Sequence, residues 1–158
     1  MAKVSTCLWF ADDAERAIRF YVSIVPDSGI DRIQRSPAAW PGGAAGDVIV
    51  MGFRLGGQSF QALNGGTPAD YGTAASISVS CDDQGEVDRL WAALTADGGT
   101  EIMCGWLHDR WGIPRQIVPE VLPRLLADPD PAVCARVFKA MQGMVKLDAA
   151  ALERAAAA

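Results

Sequence analysis

The sequence has very little of what metal and redox sites usually need. Its 158 residues include one histidine, His108. The four cysteines lie far apart, so no CxxC pair is available for zinc or redox chemistry. A chain of this size that can build its own core has little need of a disulfide framework. We therefore expect four reduced thiols, in a cytoplasmic protein: Cys7, Cys81, Cys104 and Cys134.

Positive charge and long apolar segments are also scarce. Lys and Arg total 14 against 19 Asp and Glu, which gives a net charge of −5. An acidic chain without basic runs lacks the basic face that nucleic-acid binding requires. The apolar run from Cys7 to Ala11 stops at Asp12-Asp13 and is too short for a signal peptide or a membrane span. We expect neither a nucleic-acid partner nor a membrane partner.

The most informative feature that is present is an internal repeat. When the chain is shifted by 70 residues, identities coincide with matching apolar positions over residues 12–29, and this agreement indicates a repeated structural unit. The identical positions are Asp12-Asp13 with Asp82-Asp83, Arg19 with Arg89, Asp27 with Asp97, and Gly29 with Gly99.

Each copy predicts a strand, an amphipathic helix and then further strands. The Asp pair precedes each helix and is a candidate N-cap. Gly56-Gly57 predicts a hairpin, and Gly105 to Gly112 a loop. The first module is predicted at 4–66 and the second at 74–119, within one domain spanning 1–158. The predicted strands are 4–10, 30–36, 46–55 and 59–63 in the first module, and 75–81, 100–104 and 113–118 in the second.

From Pro119 onward the pattern is helical. Asp130-Pro131 places a cap and a first-turn proline before an apolar stripe in Ala132 to Met144, and Asp148 opens a last short helix. The region 120–158 holds no clear catalytic set. We expect its apolar stripes to cover a sheet edge or a partner subunit.

Several motifs together resemble one family. They are Cys7-Leu8-Trp9-Phe10, Phe20-Tyr21, Gln58 to Gly66 (QSFQALNGG), Cys81-Asp82, Cys104 to Gly112 (CGWLHDRWG) and Gln116 to Pro119. From about Val4 to Leu152 the chain resembles the PhnB-like branch of the vicinal oxygen chelate superfamily, which includes glyoxalase I and bleomycin-resistance proteins. This branch is often labelled 3-demethylubiquinone-9 3-methyltransferase. The resemblance implies an α+β fold of two βαβββ modules, here with a C-terminal helical tail, and a homodimer.

The resemblance also implies where a metal would bind. Superfamily enzymes hold a divalent ion with His or Glu near the start of each module's first strand and with Glu or Gln on its last strand. Counting back from the Asp pairs places these positions at Thr6 and Ser76, and the last-strand positions at Gln61 and Gln116. Neutral hydroxyl and amide oxygens bind first-row metals poorly without charged partners. We therefore expect no metal and no cofactor, and we interpret His108 as an exposed loop histidine.

Strand alternation then indicates which side chains face the cavity that the fold implies. Leu8 and Phe10 share a face with Thr6, and Ser78 shares one with Ser76, whereas Trp9 points the other way, under a helix. Trp106 and Trp40 could supply flat walls. A cavity with both apolar and polar residues suits a small ligand with a hydrogen-bonding edge. An equally weighted alternative is a filled interior in which the serines bond backbone groups. The predicted ligand-binding residues are Thr6, Leu8, Phe10, Trp40, Gln61, Ser76, Ser78, Trp106 and Gln116.

Three functions remain open from the sequence. The first is a metal-free small-molecule-binding protein of the bleomycin-resistance kind. The second is an enzyme of the same superfamily, either metal-dependent or metal-free, of the lyase, isomerase or dioxygenase type, with catalytic residues not identified. The third is an interaction module that uses the helical tail. Methyl transfer is not predicted, because no glycine pair lies in the strand–GxGxxG–helix setting typical of nucleotide-type cofactors.

Overall fold

A computed structural model describes residues 3–158 of the protein. The chain divides into two compact units, unit 1 ending at Asp70 and unit 2 comprising Tyr71–Ala158.

Unit 1 is a four-stranded sheet with one helix. Its strands follow the order β1-β4-β3-β2, in which β1 is parallel to β4 and the other pairs are antiparallel. The tight hairpin between β3 and β4 uses Gly56 and Gly57, both in the left-handed region. The elements are β1 (Thr6–Phe10), α1 (Ala14–Ile24), β2 (Gly29–Arg35), β3 (Val48–Leu55) and β4 (Gln58–Asn64).

Helix α1 covers one face of this sheet. Its inward stripe repeats at helical spacing and is fully or almost fully buried: Ala14, Ala17, Ile18 and Tyr21. The covered face of the sheet carries Leu8, Phe10, Met51, Phe53, Phe60 and Ala62. Because successive strand residues point to opposite faces, the alternate residues of these strands form a second, open face.

Unit 2 repeats this arrangement and adds three helices. Its strand order is β5-β8-β7-β6, with β5 parallel to β8. Helix α2 buries Val87, Leu90, Trp91 and Leu94. The elements are β5 (Ile77–Cys81), α2 (Gln84–Thr95), β6 (Thr100–Glu101), β7 (Trp106–His108), β8 (Pro114–Pro119), α3 (Val121–Leu126), α4 (Pro131–Gln142) and α5 (Ala149–Ala157), and a short 3-10 turn at Ala96–Gly98 follows α2.

The repeat identities coincide with shared backbone geometry. Asp27 and Asp97 follow α1 and α2, and both adopt left-handed backbone, with φ of 47° and 55°. Aspartate tolerates this conformation better than most residues because its short polar side chain can bond locally. The identity of these two positions therefore reflects a turn that each unit must make after its helix.

The structure corrects two expectations for unit 2. The segment predicted as a loop between Gly105 and Gly112 contains strand β7, and the strand predicted at 100–104 is only Thr100–Glu101. Cys104, with φ of 61°, and Gly105, with φ of 80°, form a left-handed turn that ends one strand and starts the next. Three residues are too few for an alternation pattern to be recognised.

The three C-terminal helices share a small core of their own. Leu122, Val137, Leu147 and Leu152 are buried in it, and Val118 at the end of β8 packs against it. The apolar stripe of α4 therefore packs on α3 and α5, and the predicted covering of a sheet edge or a partner subunit by these helices stays a prediction.

The predicted fold class is confirmed. The element orders βαβββ and βαβββ followed by helices give an α+β protein of two modules with a helical tail. Within residues 3–158, no helix combines the length and the apolar character that crossing a bilayer requires.

Candidate functional site

The open face of unit 1 carries a row of polar groups. The strand registers pair Cys7 with Gln61, Gln61 with Gly52, and Gly52 with Arg32, so these residues lie side by side on one face. The Gln61 Nε2 donates a hydrogen bond of 2.8 Å to the Ser5 Oγ. This hydroxyl–amide pair joins the start of β1 to β4.

The open face of unit 2 holds the equivalent pair. The Gln116 Nε2 donates a hydrogen bond of 2.8 Å to the Ser76 Oγ. Gln116 lies opposite Ser78 on β5 and opposite Trp106 on β7. Four predicted residues thus lie on one face of unit 2, and their role in ligand binding stays a prediction.

The counterpart of Ser76 in unit 1 is Ser5, not the predicted Thr6. Asp13 precedes α1 and Asp83 precedes α2, an offset of 70. Gln61 and Gln116 are equivalent residues of the two last strands. Cys7 pairs with Gln61 and Ser78 pairs with Gln116, so equivalent residues of β1 and β5 lie 71 positions apart. The strand-to-helix turn is one residue longer in unit 1, so counting back from the Asp pair places every β1 side chain on the wrong face.

Leu8 and Phe10 are corrected for the same reason. Leu8 pairs with Ala62 and Phe10 with Asn64, on the face opposite Gln61. Both side chains are 4% exposed and belong to the core of unit 1. They are not available to a ligand on the open face.

A cavity of about 290 Å³ lies on the open side of the unit 1 sheet. Arg32 on β2 and Gln61 on β4 flank Gly52, which has no side chain to fill the space between them. We refer to this space as the unit 1 cavity; its lining residues are Ser5, Asp31, Arg32, Gly52, Phe53, Ser59, Phe60 and Gln61.

Trp40 is not part of the unit 1 cavity. It lines a different depression, together with the charged residues Asp12, Glu15, Arg35 and Asp47. Backbone bonds between Trp40 and Gly43 of 3.0 and 3.1 Å hold its loop. The structure therefore separates Trp40 from the open-face residues with which the sequence grouped it.

His108 also differs from expectation. His108 is on strand β7 and half-buried, and its Nε2 is enclosed without a hydrogen-bond partner in the described part of the chain. Asp109 is 3% exposed and bonded to Arg115 at 3.0 Å, not at the surface. The strand pairing of Leu107 with Arg115 turns the Asp109 carboxylate toward the covered face.

The residues at the superfamily's metal positions do not fit a divalent ion. Each unit offers one hydroxyl and one amide, and in each unit an amide N–H is already directed at the hydroxyl oxygen. Such neutral groups are weak ligands for first-row metals. Residues 3–158 contain no cluster of three or more His, Cys, Asp or Glu side chains that could hold an ion.

Comparison with known proteins gives the relationship. The family model described as 3-demethylubiquinone-9 3-methyltransferase matches residues 2–118. The chain belongs to this family. A Bacillus cereus protein described by the same methyltransferase name and as a PhnB protein is 31% identical, with a TM-score of 0.67 over 75% of this chain and 99% of that one.

More distant structures share only the fold of this family member. The Pseudomonas aeruginosa protein PA1353 is 20% identical with a TM-score of 0.61, over 76% of this chain and 98% of its own. The fosfomycin resistance protein FosX from Mesorhizobium loti is 17% identical with a TM-score of 0.53, over 81% of this chain and 100% of its own. No protein of curated function matches the chain.

Of the eight residues that line the unit 1 cavity, the sequence predicted Gln61 and missed the other seven, among them Ser5, Arg32, Gly52 and Ser59. Ser59 shares a face with Gln61 by alternation, so that signal was present. Arg32 could not be placed in this way, because an irregularity between Ile30 and Arg32 breaks the alternation of β2.

Proposed function

We propose that this family member is a metal-free small-molecule-binding protein of the PhnB-like branch, acting as a cytoplasmic homodimer. The hydroxyl–amide pairs Ser5–Gln61 and Ser76–Gln116 carry the proposal. They occupy the positions at which superfamily enzymes hold their metal, and they supply only neutral donors and acceptors. Those groups suit hydrogen bonding to an organic ligand rather than binding of a cation.

Each pair keeps unused hydrogen-bonding capacity. A glutamine amide has two N–H donors and one acceptor oxygen, and only one N–H is used for the serine. The serine hydroxyl accepts this bond and can still donate its own hydrogen. A ligand with a hydrogen-bonding edge could therefore bind without breaking the pair.

Methyl transfer is not part of this proposal despite the family's name. The strand-to-helix turns of the two units are Ala11 to Asp13 and Asp82-Asp83, and neither contains glycine. Most methyltransferases bind S-adenosylmethionine at a glycine-rich turn between a strand and a helix of a doubly wound sheet, and neither turn here is of that kind.

A second candidate, a metal-free enzyme, is favoured by His108. Its enclosed Nε2 has no partner within residues 3–158, and the strand pairing places it on the open face with Trp106. Histidine is the side chain that most often acts as a general acid or base. Turnover of a bound compound that His108→Gln abolishes while binding persists would establish this candidate.

Native mass spectrometry of the untagged full chain, purified without added metal or chelator, tests the first proposal. We expect a dimer with no divalent metal mass and with any retained mass being organic. The variant Gln61→Leu should lose retained organic mass. Gln58→Leu, an exposed position on the same strand, should not. A dimer with one divalent ion per subunit that a chelator removes would contradict the proposal.

A further inference from the structure

Gly52 contributes no side chain to the unit 1 cavity and so leaves space there. A Cβ added to Gly52 would have one neighbour within 4 Å, the Arg32 Cβ at 3.8 Å. Its backbone does not adopt positive φ, so other residues fit its conformation. A side chain here would project into the cavity without a clash. A substitution at Gly52 can therefore block the cavity.

One wall of the cavity carries an uncompensated positive charge. Asp31 lines the cavity, and its carboxylate accepts hydrogen bonds of 3.0 and 3.3 Å from the Arg54 Nε. Arg32 makes no ion pair and no side-chain hydrogen bond with any residue between 3 and 158. With the Asp31–Arg54 pair neutral overall, the Arg32 guanidinium gives the cavity a net positive charge.

The opposite wall supplies hydrogen-bond donors. The Ser5 hydroxyl accepts from Gln61 and keeps its own hydrogen to donate. Ser59, which shares a face with Gln61 by alternation along β4, also lines the cavity. A planar guanidinium on one side and hydroxyl donors on the other match the oxygen atoms of an anionic group.

We propose that the unit 1 cavity binds the oxyanion group of a small organic carboxylate or phosphate, with Arg32 as the residue that selects the negative charge. The volume of about 290 Å³ limits the ligand to a small molecule. This inference rests on the proposed binding function and adds to it the chemical class of the ligand.

Titration of the ¹⁵N-labelled full chain, followed by NMR, tests the inference with three related probes. Benzoate and benzamide have the same shape and differ in charge, and phenyl phosphate carries the alternative oxyanion. We expect benzoate or phenyl phosphate to shift the amide signals of Gly52 and Gln61 and the Arg32 Nε signal. Benzamide should leave them unchanged. The tighter of the two anions identifies whether the site prefers a carboxylate or a phosphate.

Two arginine variants distinguish anion binding in the unit 1 cavity from a general effect of the protein's charge. Arg32→Gln should weaken anion binding about tenfold, because a charge-assisted hydrogen bond is lost. Arg35→Gln removes the same charge from the same strand outside the cavity, and should leave affinity unchanged. Gly52→Leu should abolish binding of both anions while the remaining spectrum stays that of the folded protein.

Equal shifts with benzoate and benzamide, or equal weakening by the two arginine variants, would overturn the inference. Absence of shifts with both anions would also overturn it. The proposed function fails separately, by stoichiometric metal in native mass spectrometry. A protein that retains an organic cation or a neutral molecule, and ignores both anions, would keep the proposed function and lose this inference.

Discussion

At the scale of residues, the most strongly buried charges belong to Asp109 and Arg115. Their side chains are 0% and 3% exposed, respectively. The Asp109 carboxylate accepts two bonds from the Arg115 guanidinium, of 3.0 and 3.1 Å, and two more from the backbone N–H groups of Trp111 and Ile113. This set of bonds fixes the turn between β7 and β8.

Arg115→Met should destabilise the protein by about 3–5 kcal/mol, because it leaves a buried carboxylate without its positive partner. Urea unfolding followed by circular dichroism measures the change. The control is Arg19→Met, which breaks the exposed pair of Arg19 with Glu15 and should cost less than about 1 kcal/mol. Similar losses for both variants would contradict the structural role given to Asp109.

Cys81 is a residue whose reactivity the fold suppresses. Burial, followed by the nearby Glu86 carboxylate, raises the pKa of the Cys81 thiol to about 12. At pH 8 iodoacetamide should modify the exposed Cys7 and leave Cys81 unmodified, although the pKa of Cys7 is also raised by burial. Peptide mass mapping identifies the modified cysteines. Unfolding in urea should make all four cysteines reactive.

The same pKa shift predicts a pH dependence of stability. The unfolded thiol loses its proton near the ordinary cysteine pKa of 9.0, whereas the folded thiol keeps its proton up to about pH 12. The stabilising contribution is therefore present below pH 9 and is lost as the pH rises toward 12. Cys81→Ala should flatten the decline of unfolding free energy above pH 9. Parallel declines in both proteins would contradict the shift.

At the scale of elements, the two repeated helices begin differently. In α2 the Asp83 carboxylate accepts a bond of 2.8 Å from the Glu86 backbone N–H, as predicted for a cap. In α1 the Asp13 side chain makes no such cap bond and pairs with Arg16. Instead, the Ala14 backbone N–H donates a hydrogen bond of 2.9 Å to the Oδ1 of Asn64, which lies at the end of β4.

This difference in capping predicts that removing the two equivalent aspartates lowers the unfolding free energy by different amounts. Asp83→Ala should lower the unfolding free energy by about 1 kcal/mol, and Asp13→Ala by less than about 0.5 kcal/mol. Asn64→Ala should cost about 2 kcal/mol or more, because Asn64 also donates to the Val48 carbonyl and both partners are buried. Chemical denaturation of the three variants compares them, and equal effects of the two aspartates would refute the assignment.

At the scale of the whole molecule, the sequence predicts that residues 1–158 form one domain. A single domain should unfold in one cooperative transition. Tryptophan fluorescence and far-ultraviolet circular dichroism should then give coincident urea curves, since unit 1 contains Trp9 and Trp40 and unit 2 contains Trp91, Trp106 and Trp111. Two separated transitions would show that the units are independent domains.

The fold class and most element positions could be predicted from the amino-acid sequence. The apolar spacing of α1 and α2, the hairpin glycines and the repeated aspartates are local signals, and local signals survive in a single sequence. Asp27 and Asp97 are a repeat identity, and each has left-handed backbone. Ser76 and Ser78 are grouped by alternation along β5, whereas the resemblance to the family added Gln116 to the predicted site.

The face of β1, the origin of the α1 cap and the residues of the unit 1 cavity depend on contacts between distant parts of the chain, and the sequence did not predict them. One extra residue between β1 and α1 reverses the orientation of Leu8 and Phe10, and no local signal marks that residue. The sequence predicts Trp9 beneath a helix, yet Trp9 is 38% exposed and its Nε1 donates to the Thr67 carbonyl at 2.7 Å. Arg32, Gly52 and Gln61 come together through strand registers, which connect residues far apart in the chain and are set by packing of the whole sheet.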